Sequence, residues 1–277
     1  MNPETRTVEH KGCRLAYEVV GLGEPVLFIQ GTGVHGAAWR PQTDVLCTEY
    51  SCLSFDNRGM SRSQPRGVEI TIEQMAEDAL KLIAAEKWET AHVVGHSLGG
   101  IVAQEVALQA KHRVRSLSLL CTFSRGRDAM QLTPAMIWTG LRTRIGTKRM
   151  RRQAFLELMM PAAELAKANA DEVAANLAPV FGHDLADQPA VVMAQMRAMG
   201  RYDARPRVAA LRGIPTMVVS AELDRISPPA VGRRMAAEIP GAAYHEIAGA
   251  AHGAPLQRAG EINALLRAHW RAVDSAT

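Results

Sequence analysis

Gly95-His96-Ser97-Leu98-Gly99 reads G-x-S-x-G, and the chemistry it offers is a serine hydroxyl primed as a nucleophile. The motif follows the apolar run Ala91-His92-Val93-Val94 and precedes a stretch of helical length, Leu98 to Lys111. A strand that turns at once into a helix bends so sharply that Ser97 must take a strained backbone conformation. Residues two positions away can then carry no side chain, which accounts for Gly95 and Gly99. The bend lifts the Ser97 hydroxyl clear of the sheet and sets it at a helix N-terminus. There the backbone N–H of Leu98 is unpaired and can receive developing negative charge.

A serine needs a base, and the base needs an orienting acid. Of nine histidines, His96 adjoins Ser97 and points elsewhere in such a turn, His92 and His245 lie inside apolar or strand-like runs, and His112 sits at a helix end. His252 lies in Gly249-Ala250-Ala251-His252-Gly253, whose small residues leave an imidazole room to reach a hydroxyl. It is the expected base. Asp224 follows the strand Thr216 to Ser220 and is the expected acid, with Glu222 and Asp128 as rivals. The order Ser97, Asp224, His252 is the one expected when a G-x-S-x-G turn supplies the nucleophile.

The elements that must position these residues alternate along the chain. Apolar runs at Leu15–Val20, Pro25–Ile29, Ser51–Phe55, Ala91–Gly95 and Val114–Cys121 read as strands. Gly36–Thr48, Thr71–Glu86 and Leu98–Lys111 read as helices, the second opened by the capping pattern Thr71-Ile72-Glu73-Gln74. Continuous apolar strands alternating with helices predict a mostly parallel sheet covered on both faces. From Thr122 to about Arg205 the strand pattern gives way to Ala-, Met- and Arg-rich helical spacing. It resumes with strands at Pro215–Ser220 and Ala243–Ile247 and helices at about Pro228–Glu238 and Pro255–Ala272. The predicted organisation is an α/β core, 1–121 and 206–277, interrupted by a helical insertion at 122–205.

These motifs resemble the α/β-hydrolase superfamily, particularly its small esterases, enol-lactonases and C–C-bond hydrolases, over essentially the whole chain. Gln30-Gly31-Thr32-Gly33 stands at the family's His-Gly-x oxyanion loop, and Phe55-Asp56-Asn57-Arg58-Gly59-Met60-Ser61-Arg62-Ser63 is similar to its D-x-R-G-x-G-x-S segment. The resemblance implies a sheet of about eight strands and a helical cap over Ser97 that determines substrate choice. It also implies an oxyanion hole formed by the N–H groups of Thr32 and Leu98. Two residues depart from the pattern: Gln30 replaces a usual His and Met60 a usual Gly. A serine nucleophile argues against the dehalogenase and epoxide-hydrolase chemistries of the superfamily.

The expected activity is therefore cofactor-independent, metal-free hydrolysis of carboxylic esters or lactones through an acyl-enzyme. C–C-bond hydrolysis, acyl transfer and cofactor-free perhydrolysis remain open on the same triad, and a ligand-binding receptor is the non-enzymatic alternative. Eight of the thirteen methionines fall in the insertion, and Met130, Met136, Met159 and Met160 are candidates for a deformable apolar substrate wall. Between Arg125 and Arg152 eight Lys or Arg face the single acid Asp128, within a chain of formal charge +4. Such a patch can steer an anionic substrate. Aromatic residues make up only 5% and no nucleic-acid reader motif is present, so a nucleic-acid partner is not expected. The polar stretch Met1–Lys11 carries no secretory signal, no apolar stretch approaches a membrane span, and four scattered cysteines suit a reducing compartment. A cytoplasmic monomer or homodimer is the expectation.

Overall fold

The computed structural model of the chain describes residues 4–65, 69–129, 134–187 and 189–275. Eight strands form one sheet: β1 (Thr5–His10), β2 (Cys13–Val20), β3 (Glu24–Ile29), β4 (Tyr50–Phe55), β5 (Ala91–His96), β6 (Val114–Leu120), β7 (Thr216–Ala221) and β8 (Ala243–Ile247). Their order across the sheet is β1-β2-β4-β3-β5-β6-β7-β8. β2 pairs antiparallel with both its neighbours, and every pairing from β4 to β8 is parallel.

Alternate residues of the central strands feed two separate cores, as the period of two requires. Leu27, Ile29, Val93 and Leu119 pack beneath α2 (Ile72–Ala85), α3 (Leu98–Gln109) and α9 (Pro229–Glu238). Val26, Phe28, Val94 and Leu120 face the opposite layer of α1 (Arg40–Leu46) and α11 (Ala259–Asp274), which contribute Leu46, Ile262, Leu266 and Trp270. α2 begins where the capping pattern placed it, with Thr71 Oγ1 accepting the N–H of Gln74 at 3.1 Å.

Three details differ from the sequence reading. β1 lies within the polar N-terminal stretch, where no strand is predicted. It is an edge strand exposed on most of its positions, so it carries no apolar signal. The predicted helix Gly36–Thr48 is a 3-10 turn, Gly36–Trp39, running into α1, whose first turn holds Pro41. The last helix is broken at Arg258, separating α10 (Ala254–Gln257) from α11.

Between β6 and β7 there is no strand among the described residues. Among the described residues five α-helices occupy this stretch: α4 (Pro134–Arg142), α5 (Lys148–Met159), α6 (Ala162–Leu165), α7 (Ala170–Phe181) and α8 (Ala190–Arg201). They have their own small core of Leu156, Leu165, Ala174, Phe181 and Leu185, which closes on Val34 and Ala38 of the main body. Among the described residues no helix is long and apolar enough to cross a membrane, and the four cysteines are unpaired.

The Asp56–Ser63 segment is fastened by a buried ion pair. The Arg58 guanidinium donates twice to Asp78, at 2.6 and 2.8 Å, and both side chains are at most 3% exposed. Nearby Asn57 donates to the carbonyl of Gln30 at 3.1 Å, so this anchorage extends to the Gln30–Gly33 loop. Met60 is fully buried beside it, in a conformation that does not require glycine. Asp78→Ala strands the Arg58 cation in the interior and is expected to cost about 3–5 kcal/mol. Urea unfolding would show this as a lower midpoint at unchanged slope; a loss under about 1 kcal/mol would mean that Arg58 regains water when its partner goes.

Candidate active site

In a parallel sheet the strands deliver the loops that follow them to one edge. Here β3 delivers Gln30–Gly33, β5 delivers Ser97, β7 leads to Asp224 and β8 to His252. Ser97 stands between β5 and α3 with φ 54 and ψ −120. A Cβ on Gly95 would lie 2.2 Å from the Gly99 carbonyl oxygen, and one on Gly99 would lie 2.0 Å from that of Ile29. Only glycine fits at either position.

The structure brings the three predicted residues together. Ser97 Oγ lies 3.0 Å from His252 Nε2, and His252 Nδ1 lies 2.8 Å from Asp224 Oδ2. A carboxylate only accepts, so Nδ1 carries the proton and Nε2 is free to accept from Ser97. The second Asp224 oxygen accepts the N–H groups of Ile226 and Ser227, at 2.8 and 2.9 Å, which fixes the carboxylate plane. The rivals are engaged elsewhere: Glu222 accepts the N–H of Gly249, and Asp128 pairs with Arg125 and Arg234.

Among the described residues, no hydrogen bond uses the N–H of Thr32 or Leu98. Gln30, the departure from the family pattern, turns its side-chain oxygen to the N–H of Gly31 at 3.1 Å. It thus braces its own loop. Such an arrangement can pass a proton from Ser97 to His252 while two backbone donors receive negative charge on a bound carbonyl. No cluster of three or more His, Cys, Asp or Glu suited to a metal ion occurs among the described residues.

Ser97, His252, Thr32 and His96 open on a cavity of about 450 Å³ whose remaining wall is mostly apolar, including Phe123, Leu158 and Met196. Of the methionines singled out from sequence, Met159 lines this cavity. Met160 instead lines a neighbouring depression beside Glu222 and Arg225, because the chain leaves α5 at that residue and its side chain points away. Met130 lies outside the described residues, as does the side chain of Met136. Met196 and Met199, not singled out, are in the wall.

Several residues that the motifs do not mark hold the site together. His96, read as pointing elsewhere, lies within the site: its Nε2–H donates to the carbonyl of His252 at 2.9 Å, and the two rings stand 4.9 Å apart. Thr122 donates to the carbonyl of Ser97 at 2.6 Å and accepts from Ser227 at its own carbonyl, at 2.7 Å. Gln195 of α8 accepts the N–H of Gly33 at 2.9 Å from a fully buried position. Its signal in the sequence is a polar residue on the apolar stripe Val192, Gln195, Met199.

Comparison with known proteins gives the family. A family model for the alpha/beta hydrolase fold matches residues 24–259. The chain belongs to the α/β-hydrolase family. It is an enzyme of the hydrolase class. It is similar to a putative carbamate hydrolase, RutD, of Azorhizobium caulinodans, at 29% identity over 86% of this chain and 88% of the relative. Among solved structures, a thermophilic esterase from Thermogutta terrifontis superposes with TM-score 0.79 at 25% identity, covering 98% of this chain and 99% of the other. The enol-lactonase of Burkholderia xenovorans shares the fold with TM-score 0.81 at 23% identity, over 96% and 100% of the two chains.

Burial pushes His96 down to about 3, with the neighbouring His252 adding to the effect. The unfolded chain binds this proton near pH 6.5. His96 therefore contributes stability that is complete above that pH and is lost as the pH falls toward 3, at roughly 1.4 kcal/mol per pH unit. His96→Gln keeps a donor for the His252 carbonyl and removes this slope. Urea midpoints compared between pH 7 and pH 5 are expected to fall less in the variant than in the wild type; parallel declines would refute a buried, neutral His96.

Proposed function

We propose that the protein hydrolyses carboxylic esters or lactones through an acyl-enzyme formed on Ser97. The observation that carries this is the unbroken chain of contacts from Asp224 through His252 to Ser97, ending at the cavity. In the first step His252 Nε2 takes the Ser97 proton as Oγ bonds to the carbonyl carbon. The electron pair moves to the carbonyl oxygen, which the N–H groups of Thr32 and Leu98 stabilise. Collapse breaks the bond to the alkoxide, and the proton on His252 passes to that leaving oxygen. Water then gives a proton to the same nitrogen, adds to the acyl carbon, and releases the acid with Ser97 restored. Asp224 keeps the imidazole in the needed tautomer and stabilises the imidazolium.

The helices of 122–205 act as a cap in this reading, supported by the cavity wall they supply. The esterase relative supports an oxygen ester as the bond cleaved.

Replacing Ser97 by Ala is expected to lower the hydrolysis of p-nitrophenyl butyrate by up to about a millionfold, the scale of loss when a triad acts as a unit. A fluorophosphonate probe mapped by peptide mass should label Ser97 and no other residue. Turnover by Ser97→Ala at the wild-type rate, or labelling elsewhere, would remove the proposal.

A further inference from the structure

Most of the positive charge between Arg125 and Arg152 is matched by acids in the folded chain. Arg125 meets Asp128 at 2.5 Å, Arg142 meets Glu157 at 2.8 Å, and Arg152 meets Asp184 at 2.6 Å and Asp171 at 3.1 Å. Lys148 and Arg151 reach Asp187 at 3.2 and 3.7 Å, and Arg149 reaches Asp171 at 3.7 Å. Among the described residues, Arg127 and Arg144 have no carboxylate within 4.0 Å, and of these two only Arg144 lines the cavity that holds Ser97. Its guanidinium donates to the thioether of Met193 at 2.8 Å, a weak acceptor that a stronger one readily displaces. Among the described residues no Asp or Glu lines the cavity, and apart from Thr143 the lining contributed by the helix before Arg144 is apolar: Ile137, Gly140 and Leu141.

We propose that Arg144 receives the carboxylate of the substrate, so that the esters or lactones turned over best carry a free carboxylate at the end of an apolar chain. The inference rests on the reading of Ser97 as nucleophile and adds the substrate class to it. A guanidinium presents paired donors that match the two oxygens of a carboxylate. Arg144 is itself exposed at the rim of the cavity, so the contact is partly solvated and is weaker than a fully buried one. A cavity whose described lining holds Arg144 and no acid also discriminates against cationic substrates. Apart from Arg127, which does not line the cavity, the rest of the cluster is paired with acids, which leaves Arg144 as the charge directed to the ligand.

The test compares p-nitrophenyl hydrogen adipate with p-nitrophenyl hexanoate, which differ in the terminal carboxylate. The ratio of their kcat/KM values is expected to favour the adipate in the wild type and to fall about tenfold in Arg144→Gln, the scale of a partly solvated charged hydrogen bond. Arg144→Lys should keep part of the preference, and added salt should reduce it in the wild type. Because the ratio is internal to each protein, altered folding or concentration does not imitate the effect. A ratio that is the same in wild type and Arg144→Gln overturns the proposal.

Calorimetric titration of Ser97→Ala with monomethyl adipate and with methyl hexanoate separates the two readings. Loss of monomethyl adipate binding in Ser97→Ala/Arg144→Gln, in a protein whose wild type hydrolyses neither nitrophenyl ester, removes the nucleophile and keeps the anion site. Ester hydrolysis with equal binding of both ligands in the two backgrounds removes the anion site and keeps the nucleophile.

Discussion

The backbone of Ser97, at φ 54 and ψ −120, occupies a region that an L-residue enters at a cost of about 1–3 kcal/mol. It stays there because every polar group of its peptide is engaged. Its N–H donates to the Leu120 carbonyl of β6 at 3.0 Å, and its carbonyl accepts from Thr122 Oγ1 at 2.6 Å and from the Gly100 N–H at 2.9 Å. Glycines 95 and 99 supply the clearance, and β5 and α3 are buried along nearly their whole lengths. The strain is therefore held by the central strands and not by the turn. From this follows the position of the hydroxyl: at the end of a rigid strand, at the start of a helix, and facing the sheet edge where the other loops arrive.

Those loops are connected to one another as well as to the sheet. Thr122 bonds the turn to the acid loop through Ser227, whose N–H also fixes Asp224. The helices between β6 and β7 are tied to these loops from above, two of the ties lying close to the site. Gln195 holds the Gly33 N–H, and the carbonyl of Met159 accepts from Gly253 N–H and Gln257 Nε2, at 2.9 and 2.6 Å. One tie reaches the loop that carries Thr32 and the other the loop that carries His252. The placement of these helices is thus coupled to the alignment of the groups beneath them, and a substitution in α8 or at the end of α5 acts on the site without touching a ligand.

What the sequence discloses depends on how local each constraint is. The strands β2 to β7, the turn at Ser97 and the loops of Asp224 and His252 are legible because each is a largely apolar run ended by turn residues, or a loop after a strand. β1 is invisible, since an edge strand exposed on most of its positions carries too little apolar signal to be read. Asp78 and Gln195 leave a fainter trace: each is a polar residue on the buried stripe of a helix, beside Met75 and Leu82 in one case and Val192 and Met199 in the other. A break in that stripe indicates a buried partner but does not name it. The role of His96 has no trace, because nothing in the chain marks a ring that bonds a carbonyl 156 residues away. The charge cluster is legible as a sum, while which of its members go uncompensated, and which of those lines the cavity, depends on helix packing.

Burial also limits which groups near Ser97 can react or carry charge. Cys121 lies at the end of β6 and is fully buried; burial, reinforced by the charge of Asp224, holds its thiol far above the usual range. It stays protonated and is a poor nucleophile, though it lies among the same loops. His96 is kept neutral by the same desolvation. Its ring stands 4.9 Å from that of His252, and a positive charge there would oppose the imidazolium that His252 forms in the proposed reaction. The apolar packing that makes these neighbours inert thereby leaves one hydroxyl and one imidazole available for chemistry, and the distance between them is 3.0 Å.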